Sequence, residues 1–181
     1  FLKENPMNDN TKIIDLSNEF RLQKDQHYLE KSYVYGLPEY QKQTIQSAQA
    51  VANPGCFATA IQLALLPLAN EGLLQNDIQV HAITGSTGAG VKPSATSHFS
   101  WRNNNVSWYK PFTHQHLGEI NETLKALQSD AANINFLPIR GNFTRGIFAS
   151  AYTTFDGNID DAYRIYEAYY ANHPFTHISK K

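Results

Sequence analysis

The single cysteine of the 181-residue chain lies in the segment VANPGCFATA, residues 51–60. Asn53 is a favoured N-cap residue and Pro54 suits a first helical position, so this order predicts that Cys56 lies in the first turn of a helix. Free N–H groups and the helix dipole favour a thiolate there, by roughly 0.3–1 kcal/mol for the dipole alone. The same N–H groups could hold an oxyanion at the attacked carbon. Cys56 is therefore a candidate nucleophile, and a buried cysteine that acts as a small apolar side chain is the alternative.

A second group of reactive side chains lies in HQHLGEI, residues 114–120. If this segment is helical, His114 and His116 point to different faces, whereas His116 and Glu119 share one face. Glu119 would then orient the imidazole, which favours His116 as the acid/base partner of Cys56. His114 stays a candidate because it could precede the helix. The alternatives are two solvated histidines or a zinc site, for which one such segment offers too few ligands.

Arginine is the natural ligand of phosphate and carboxylate groups, because its guanidinium forms paired hydrogen bonds to them. Arg21, Arg140 and Arg145 are the candidates, although a single arginine is more often part of a surface ion pair. Tyr109 precedes the histidine segment and is a candidate for the wall of the same pocket.

The segment GSTGAG, residues 85–90, consists of small residues that allow close approach of a ligand to the backbone. Ser86, Gly88 and Gly90 are therefore candidates for contact with a substrate or a nicotinamide. A plain strand-to-loop turn is the alternative, since the segment lacks the GxGxxG spacing of a dinucleotide fingerprint.

Apolar spacing predicts the elements that position these residues, and their alternation favours an α/β or α+β fold. Helices are predicted at residues 41–47, 57–73, 114–128 and 160–172, and strands at residues 12–16, 48–53, 77–84, 135–139 and 146–155. The strand at residues 12–16 is expected to be buried, and Pro67 to kink or end its helix. Residues 18–35 are mixed and polar with no clear period, and residues 92–110 are predicted to be an irregular loop. Trp101 and Trp108 in the second of these stretches are expected in a core or an interface.

Composition excludes several classes of protein. The formal net charge of −1 indicates neither a nucleic-acid surface nor a basic membrane patch. One cysteine excludes an internal disulfide framework and favours a reducing compartment, so we expect a cytoplasmic protein. The sequence has no stretch of the ~20 apolar residues that span a bilayer and no visible signal peptide.

Several segments together resemble the N-acetyl-gamma-glutamyl-phosphate reductase family of arginine biosynthesis. The most specific is VANPGCFATAIQLALLP, residues 51–67, which is similar to the family's active-site signature. The other segments agree in order and spacing: IDLSNEFRL (14–22), VYGLPE (34–39), ITGSTGAG (83–90), HQHLGEI (114–120), TRGIFA (144–149) and HPF (173–175).

The resemblance implies an α+β fold with a mixed sheet packed by helices, like the C-terminal catalytic domain of glyceraldehyde-3-phosphate dehydrogenase. Residues 1–50 would be a remnant of the nucleotide-binding domain with its connecting segment. Residues 51–181 would be the catalytic, substrate-binding and dimerisation domain, truncated at its C-terminal end. The main NADP-binding unit would be absent, so we expect no tight NADP binding and no turnover by this chain alone. The family implies a homodimer or tetramer.

The implied reaction is the NADPH-dependent reduction of an acyl phosphate to a semialdehyde through a thioester on Cys56. His116 or His114 would be the acid/base and Glu119 its orienting carboxylate, with no metal. The remaining implied contacts are with the substrate for Arg21, Asn53, Ser86, Tyr109 and Arg145, and with the cofactor for Gly88 and Gly90.

Three alternatives stay open. The chain could belong to a related aspartate-semialdehyde dehydrogenase or lysine-pathway reductase, or it could be a non-catalytic dimerisation domain. The choice between an N-acetyl and an N-succinyl substrate also stays open, because pocket shape decides it.

Overall fold

The computed structural model of the protein describes residues 2–5, 7–8 and 10–180. The chain divides into two compact units, Phe1–Gly55 and Cys56–Lys181. The second unit therefore begins at the cysteine, a few residues after the boundary predicted at residue 50.

The first unit is built on a four-stranded sheet in the order β1-β4-β3-β2, in which only β2 is antiparallel to its neighbour. Its elements are β1 (Ile13–Asp15), β2 (His27–Tyr28), β3 (Lys31–Tyr35), α1 (Pro38–Ser47) and β4 (Ala50–Ala52). The core of this unit contains Phe20 and Tyr33, whose rings stack with centroids 4.1 Å apart. The predicted strands at residues 12–16 and 48–53 and the helix at 41–47 are confirmed as β1, β4 and α1.

One prediction for this unit was wrong. Ile14 in β1 is 70% exposed, because β1 is an edge strand of its sheet and not a buried strand. Residues 18–35, for which no element was predicted, contain β2 and β3. The sequence KSYVY of β3 is rich in residues that favour strands, but its pairing with β4 is a long-range contact that local spacing does not reveal.

The second unit is a mixed sheet in the order β6-β7-β5-β8, in which β5 and β7 are parallel and the outer strands are antiparallel to their neighbours. Its elements are α2 (Cys56–Asn70), β5 (Ile78–Thr84), α3 (Phe99–Arg102), β6 (Ser107–Trp108), α4 (His116–Leu127), β7 (Ile134–Arg140), β8 (Ile147–Tyr152) and α5 (Ile159–Tyr170). The predicted α2, α4, α5, β5, β7 and β8 are confirmed. The stretch at residues 92–110, predicted as irregular, contains α3 and β6.

The core of this unit lies between one face of the sheet and the helices α2 and α4. Alternate side chains of β5 enter this core, as Val80 and Ala82 do. From the helices, Ile61 and Ile120 are fully buried in the same cluster. The buried side chains of the strand, which alternate, and those of the helices, which recur every three to four residues, therefore form one core. This core holds the start of α2 and the start of α4 against the same sheet.

Pro67 does not break α2, which continues to Asn70. Proline has no N–H, so the carbonyl of Leu63, four residues earlier, loses its partner within the helix. The hydroxyl of Tyr170 on α5 donates to that carbonyl at 2.6 Å. The packing of α5 thus satisfies the acceptor that Pro67 leaves unused.

The opposite face of the sheet carries side chains that are exposed to solvent. We call it the open sheet face and define it by His81, Ile83, Phe148 and Tyr152, which share one side by their strand pairing. Phe148 is 68% exposed and Tyr152 is 59% exposed. Trp108 on β6 is also exposed, so its predicted place in a core is wrong and the alternative place in an interface stays a prediction.

Among the described residues, no helix has the length and apolar character needed to cross a membrane.

Candidate active site

Cys56 is the first residue of α2 and its side chain is exposed, so the prediction that it lies in the first helical turn is confirmed. The capping prediction was wrong, since α2 begins two residues later than Pro54. In the first unit, the N–H of Asn53 donates to the Asp15 carbonyl at 2.8 Å, which extends the pairing of β4 with β1 beyond the strand. The Asn53 carboxamide donates to the Pro54 carbonyl at 3.0 Å and is not an N-cap acceptor.

His114 lies before α4 and stabilises its start. The imidazole is buried, and its Nδ1 accepts a hydrogen bond from the N–H of His116 at 3.2 Å. This bond satisfies one of the free N–H groups at the helix end. Burial, together with the neighbouring His116 and Lys110, lowers the pKa of His114 from 6.5 to about 4, and burial is the largest of the three causes. His114 is therefore a neutral hydrogen-bonding group at neutral pH.

His116 and Glu119 form a buried pair on the first turn of α4. Nε2 of His116 lies 3.9 Å from Oε1 of Glu119, with the spacing of three residues that the sequence predicted. The ring of Phe57, the residue after Cys56, packs edge-on against His114 and His116 with centroids 5.4 and 6.2 Å apart. The beginning of α2 and the beginning of α4 thus meet around one aromatic ring.

Replacing His114 with asparagine is expected to flatten the acid side of the stability curve. Because the folded-state pKa of His114 is about 4 against 6.5 in the unfolded chain, the unfolded chain binds more protons between these values. The free energy of unfolding then rises with pH across this window, by at most about 1.4 kcal/mol per pH unit, and the full stability is present above it. Asparagine keeps an oxygen acceptor for the helix and removes the titrating group.

The measurement is urea unfolding of the full-length protein across that pH window. The same substitution at the exposed His177 is the control, for which we expect the parent's curve. An unchanged acid slope in the His114→Asn variant would mean that another group causes the pH dependence.

The loops after β5 and β7 are hydrogen-bonded to each other, because parallel strands end at the same edge of the sheet. The N–H of Gly85 donates to the Gly146 carbonyl at 2.9 Å, and the N–H of Ser86 donates to the Phe143 carbonyl at 2.8 Å. The Ser86 hydroxyl donates to the Gly141 carbonyl at 3.0 Å. The predicted substrate role of Ser86 would thus compete with a bond that holds the two loops together.

Arg145 lies in the second of these loops and is exposed. Within the part of the chain that the structure describes, no hydrogen bond or ion pair of its guanidinium is found. This arrangement leaves its donors available to an anionic ligand, as its predicted role requires.

Replacing Gly85 with alanine is expected to destabilise the protein by about 1–3 kcal/mol, the usual cost of overpacking. A Cβ at Gly85 would lie 2.6 Å from the Thr144 oxygen and 2.7 Å from the Arg145 nitrogen, so the backbone that carries Arg145 would have to move. Gly88→Ala is the matched control, because its Cβ would meet only the Thr84 hydroxyl, at 3.1 Å. Thermal unfolding of both variants checks this, and equal melting temperatures would contradict the close approach at Gly85.

Gly88 and Gly90, the predicted cofactor contacts, expose their backbone. A Cβ at Gly90 would meet no atom within 4 Å, and Gly90 has a φ of +80°. The space over Gly90 is therefore open.

Tyr109 lies near Cys56 and packs against Arg140. The guanidinium of Arg140 lies 4.7 Å from the Tyr109 ring centroid. Burial raises the pKa of Tyr109, the charge of Arg140 and its hydrogen bond to Tyr109 lower it, and the nearby Cys56 raises it. Arg102 is only 6% exposed and donates to the Arg140 carbonyl at 3.1 Å and to the Ser107 hydroxyl at 2.8 Å. No local pattern indicated Arg102, because its hydrogen-bond partners lie on β6 and β7, which pair only in the folded chain.

In the first unit, Arg21 contacts the backbone of its own unit. Its Nε donates to the Asn53 carbonyl at 2.8 Å and its Nη2 to the Leu16 carbonyl at 3.3 Å. These bonds hold the loop after β4, while the substrate roles of Arg21 and Asn53 stay predictions.

Among residues 2–5, 7–8 and 10–180, no group of three histidine, cysteine or acidic side chains could hold a metal ion.

The second unit has the architecture of a glyceraldehyde-3-phosphate-dehydrogenase-like catalytic domain, a mixed sheet packed by helices, and the predicted fold class is confirmed. The chain belongs to the family described as semialdehyde dehydrogenase, dimerisation domain, which matches residues 56–181. The family match begins at Cys56, where the second compact unit begins.

Particular relatives support the predicted family. An N-acetyl-gamma-glutamyl-phosphate reductase of Flavobacterium johnsoniae is 58% identical over 180 residues, which are 99% of this chain and 55% of the relative. The chain therefore spans about half the length of the curated relatives it matches.

Two solved structures share the fold at low identity. Aspartate semialdehyde dehydrogenase II from Vibrio cholerae, complexed with ASA, has a TM-score of 0.60 and 16% identity, over 84% of this chain and 51% of that chain. Aspartate semialdehyde dehydrogenase with NADP from Candida albicans has a TM-score of 0.53 and 8% identity, over 85% of this chain and 48% of that chain.

Proposed function

We propose that this chain is the catalytic part of an NADPH-dependent reductase of arginine biosynthesis that converts an N-acyl-γ-glutamyl phosphate to the semialdehyde and phosphate. The observation that carries the proposal is the exposed Cys56 at the start of α2, packed through Phe57 against the start of α4 with its His116–Glu119 pair. The name of the Flavobacterium relative favours this substrate over aspartate semialdehyde, because that relative is 58% identical whereas the solved aspartate enzymes share the fold at 8–16% identity.

Cys56 would act as the nucleophile. Its sulfur would attack the acyl carbon, the bond from that carbon to the phosphate oxygen would break, and a thioester would remain on Cys56. The free N–H groups of the first turn of α2 would stabilise the oxyanion that forms during attack. Arg145, which is exposed and without a partner among the described residues, would bind an anionic group of the substrate.

His116 would transfer protons at the reacting atoms. It would accept the thiol proton of Cys56 and later protonate the oxygen of the thiohemiacetal that forms on Cys56. It would then take that proton back as the carbon–sulfur bond breaks and the semialdehyde leaves. Glu119 would hold the imidazole in place. His114 is the weaker candidate, because it is neutral at neutral pH and its Nδ1 is bonded to the helix backbone.

The residues at the end of β5 fit a nicotinamide cofactor, because Gly88 and Gly90 are exposed and the space over Gly90 is open. NADPH, when bound, supplies the hydride that reduces the thioester. Most of the cofactor's binding surface would belong to the part of the protein outside this chain.

The test measures phosphate-dependent oxidation of N-acyl-glutamate semialdehydes by the full-length protein, with NADPH formation as the readout. We expect activity with the N-acetyl or the N-succinyl substrate that exceeds activity with aspartate semialdehyde by at least about 100-fold, since a site built for one polar substrate rejects others strongly. Preference for aspartate semialdehyde would replace this function with that of the related dehydrogenase. No activity with any semialdehyde would favour a non-catalytic dimerisation domain.

We also propose that the protein is a homo-oligomer, a dimer or tetramer, and cytoplasmic. The description of its family as a dimerisation domain and the exposed aromatic side chains of the open sheet face support association through that face. The single cysteine is consistent with a reducing compartment.

Replacing Phe148 with aspartate is expected to weaken this association by at least about tenfold, because a charge would be buried in the centre of an apolar interface. Light scattering during size-exclusion chromatography of the full-length protein would show a smaller mass at low concentration. Phe175→Asp is the matched control, since Phe175 is 91% exposed and lies outside the open sheet face. An unchanged mass for the Phe148 variant would place the interface elsewhere.

A further inference from the structure

Arg102 and Arg140 are neighbouring cations, and among residues 2–5, 7–8 and 10–180 neither has an anionic partner. Arg102 donates from its guanidinium to the Arg140 carbonyl and the Ser107 hydroxyl, and Arg140 donates to the Thr96 hydroxyl at 3.4 Å. All these acceptors are neutral. Across the described residues, neither guanidinium contacts a carboxylate.

Such an arrangement is costly unless an anion completes it. The Arg102 side chain is buried, with only 6% of the residue exposed, and arginine keeps its charge in proteins. A buried charge without an opposite charge is strongly destabilising, and the positive charge of Arg140 beside Arg102 increases that cost. The Nε atoms of both residues are buried and have no hydrogen-bond partner within the described part of the chain. Each guanidinium therefore has an unused donor.

The pair lies next to the reactive part of the second unit. Arg140 covers the ring of Tyr109, and Tyr109 is near enough to Cys56 for the two groups to interact electrostatically. A substrate bound covalently at Cys56 would thus have its remaining groups close to Tyr109 and Arg140.

We propose that Arg102 and Arg140 form a binding site for a carboxylate of the acyl substrate, with the ring of Tyr109 as one wall. The planar fork of a guanidinium matches a carboxylate in paired hydrogen bonds, and the unused Nε donors provide them. This proposal rests on the proposed function for its substrate. Two carboxylates have the right chemistry: the α-carboxylate of the glutamyl group, present in every N-acyl substrate, and the terminal carboxylate of an N-succinyl group.

The test compares Arg140→Met with the parent in the full-length protein, using the N-acetyl and N-succinyl semialdehydes. We expect KM to rise roughly 10- to 100-fold, the usual effect of losing hydrogen bonds to a charged group, with a much smaller change in kcat. A rise for both substrates assigns the site to the α-carboxylate, and a rise for the N-succinyl substrate alone assigns it to the acyl group. Arg140→Lys, which keeps the charge without the fork, should recover part of the loss.

Arg164→Met is the matched control, because Arg164 is an exposed arginine paired with Asp161 on α5. Parent-like KM values for Arg140→Met with both semialdehydes would overturn the proposal, as would a rise only in the KM of inorganic phosphate, which would make the pair a phosphate site. The KM values of Arg102→Met are compared with those of the parent only after its melting temperature shows that the variant folds.

A binding measurement separates this proposal from the proposed function. N-acetyl-L-glutamate and N-succinyl-L-glutamate contain the carboxylates but no reactive group, so they stabilise the fold without turnover. We expect at least one of them to raise the melting temperature of the parent and of Arg164→Met but not of Arg140→Met. If Arg140→Met loses that shift but the full-length protein reduces no acyl phosphate, the carboxylate site is supported and the proposed function is rejected. An equal shift in Arg140→Met would reject the site, whatever the activity.

Discussion

Replacing Cys56 with serine in the full-length protein is expected to lower kcat by at least about 1,000-fold, because the nucleophile is the thiolate and a serine hydroxyl has no comparable ionised form at neutral pH. The oxyanion-binding N–H groups at the start of α2 would remain, so a low residual rate is compatible with the mechanism. Since Cys56 is exposed, the variant should unfold within about 0.5 kcal/mol of the parent, as is usual for surface substitutions.

Two measurements define the outcome of this substitution. Steady-state rates with the preferred semialdehyde give kcat, and thermal unfolding shows that the fold is intact. Iodoacetamide should label native Cys56 rapidly near neutral pH and abolish the same activity in the parent. A serine variant with more than a tenth of the parental kcat would rule out a thioester on Cys56.

The second large effect is expected at His116. Replacing His116 with alanine should lower kcat by roughly 100- to 10,000-fold, the usual contribution of a general acid/base. Glu119→Gln should have a smaller effect, because it removes only the charge that lies 3.9 Å from Nε2 of His116 and leaves the imidazole itself in place. The pH dependence of kcat/KM should change in both variants, since His116 is proposed to exchange the proton.

The exposed His177 provides a control, and His177→Ala should keep the parental rate. His114→Asn distinguishes the two histidines of the segment, because it keeps an acceptor for the helix N–H and removes the imidazole. If His114→Asn loses activity and His116→Ala does not, the acid/base assignment is reversed. Retained activity in both variants would show that neither histidine transfers the proton.

Local patterns predicted most of the elements of the second unit. The apolar period of α2 and α4 and the alternation of β5 appear within single segments, and each burial pattern follows directly from its element's geometry. The strand β3 and the short strand β6 were missed. Both are stabilised by pairing with strands distant in the sequence, and that pairing cannot be read from a short window.

Part of the candidate site was likewise visible locally. The order Pro-Gly-Cys placed Cys56 at a helix start, and a spacing of three residues placed His116 and Glu119 on one face. The N-cap at Asn53 was wrong, because β4 continues its pairing to Asn53 and the helix begins only at Cys56. Competition between a strand end and a helix start is decided by the neighbouring strand β1.

The sequence by itself determined that a cysteine starts a helix, that a histidine and a glutamate share one helical face, and that these lie in a family with a recognisable signature. These features depend on neighbours within a turn of the helix. Only the tertiary structure decided that His114 is a buried helix-capping group, that Tyr170 completes α2 at Pro67, and that Arg102 lies buried beside Arg140. Burial and long-range hydrogen bonds set the charge and the partners of a side chain, and both arise only when distant elements pack together.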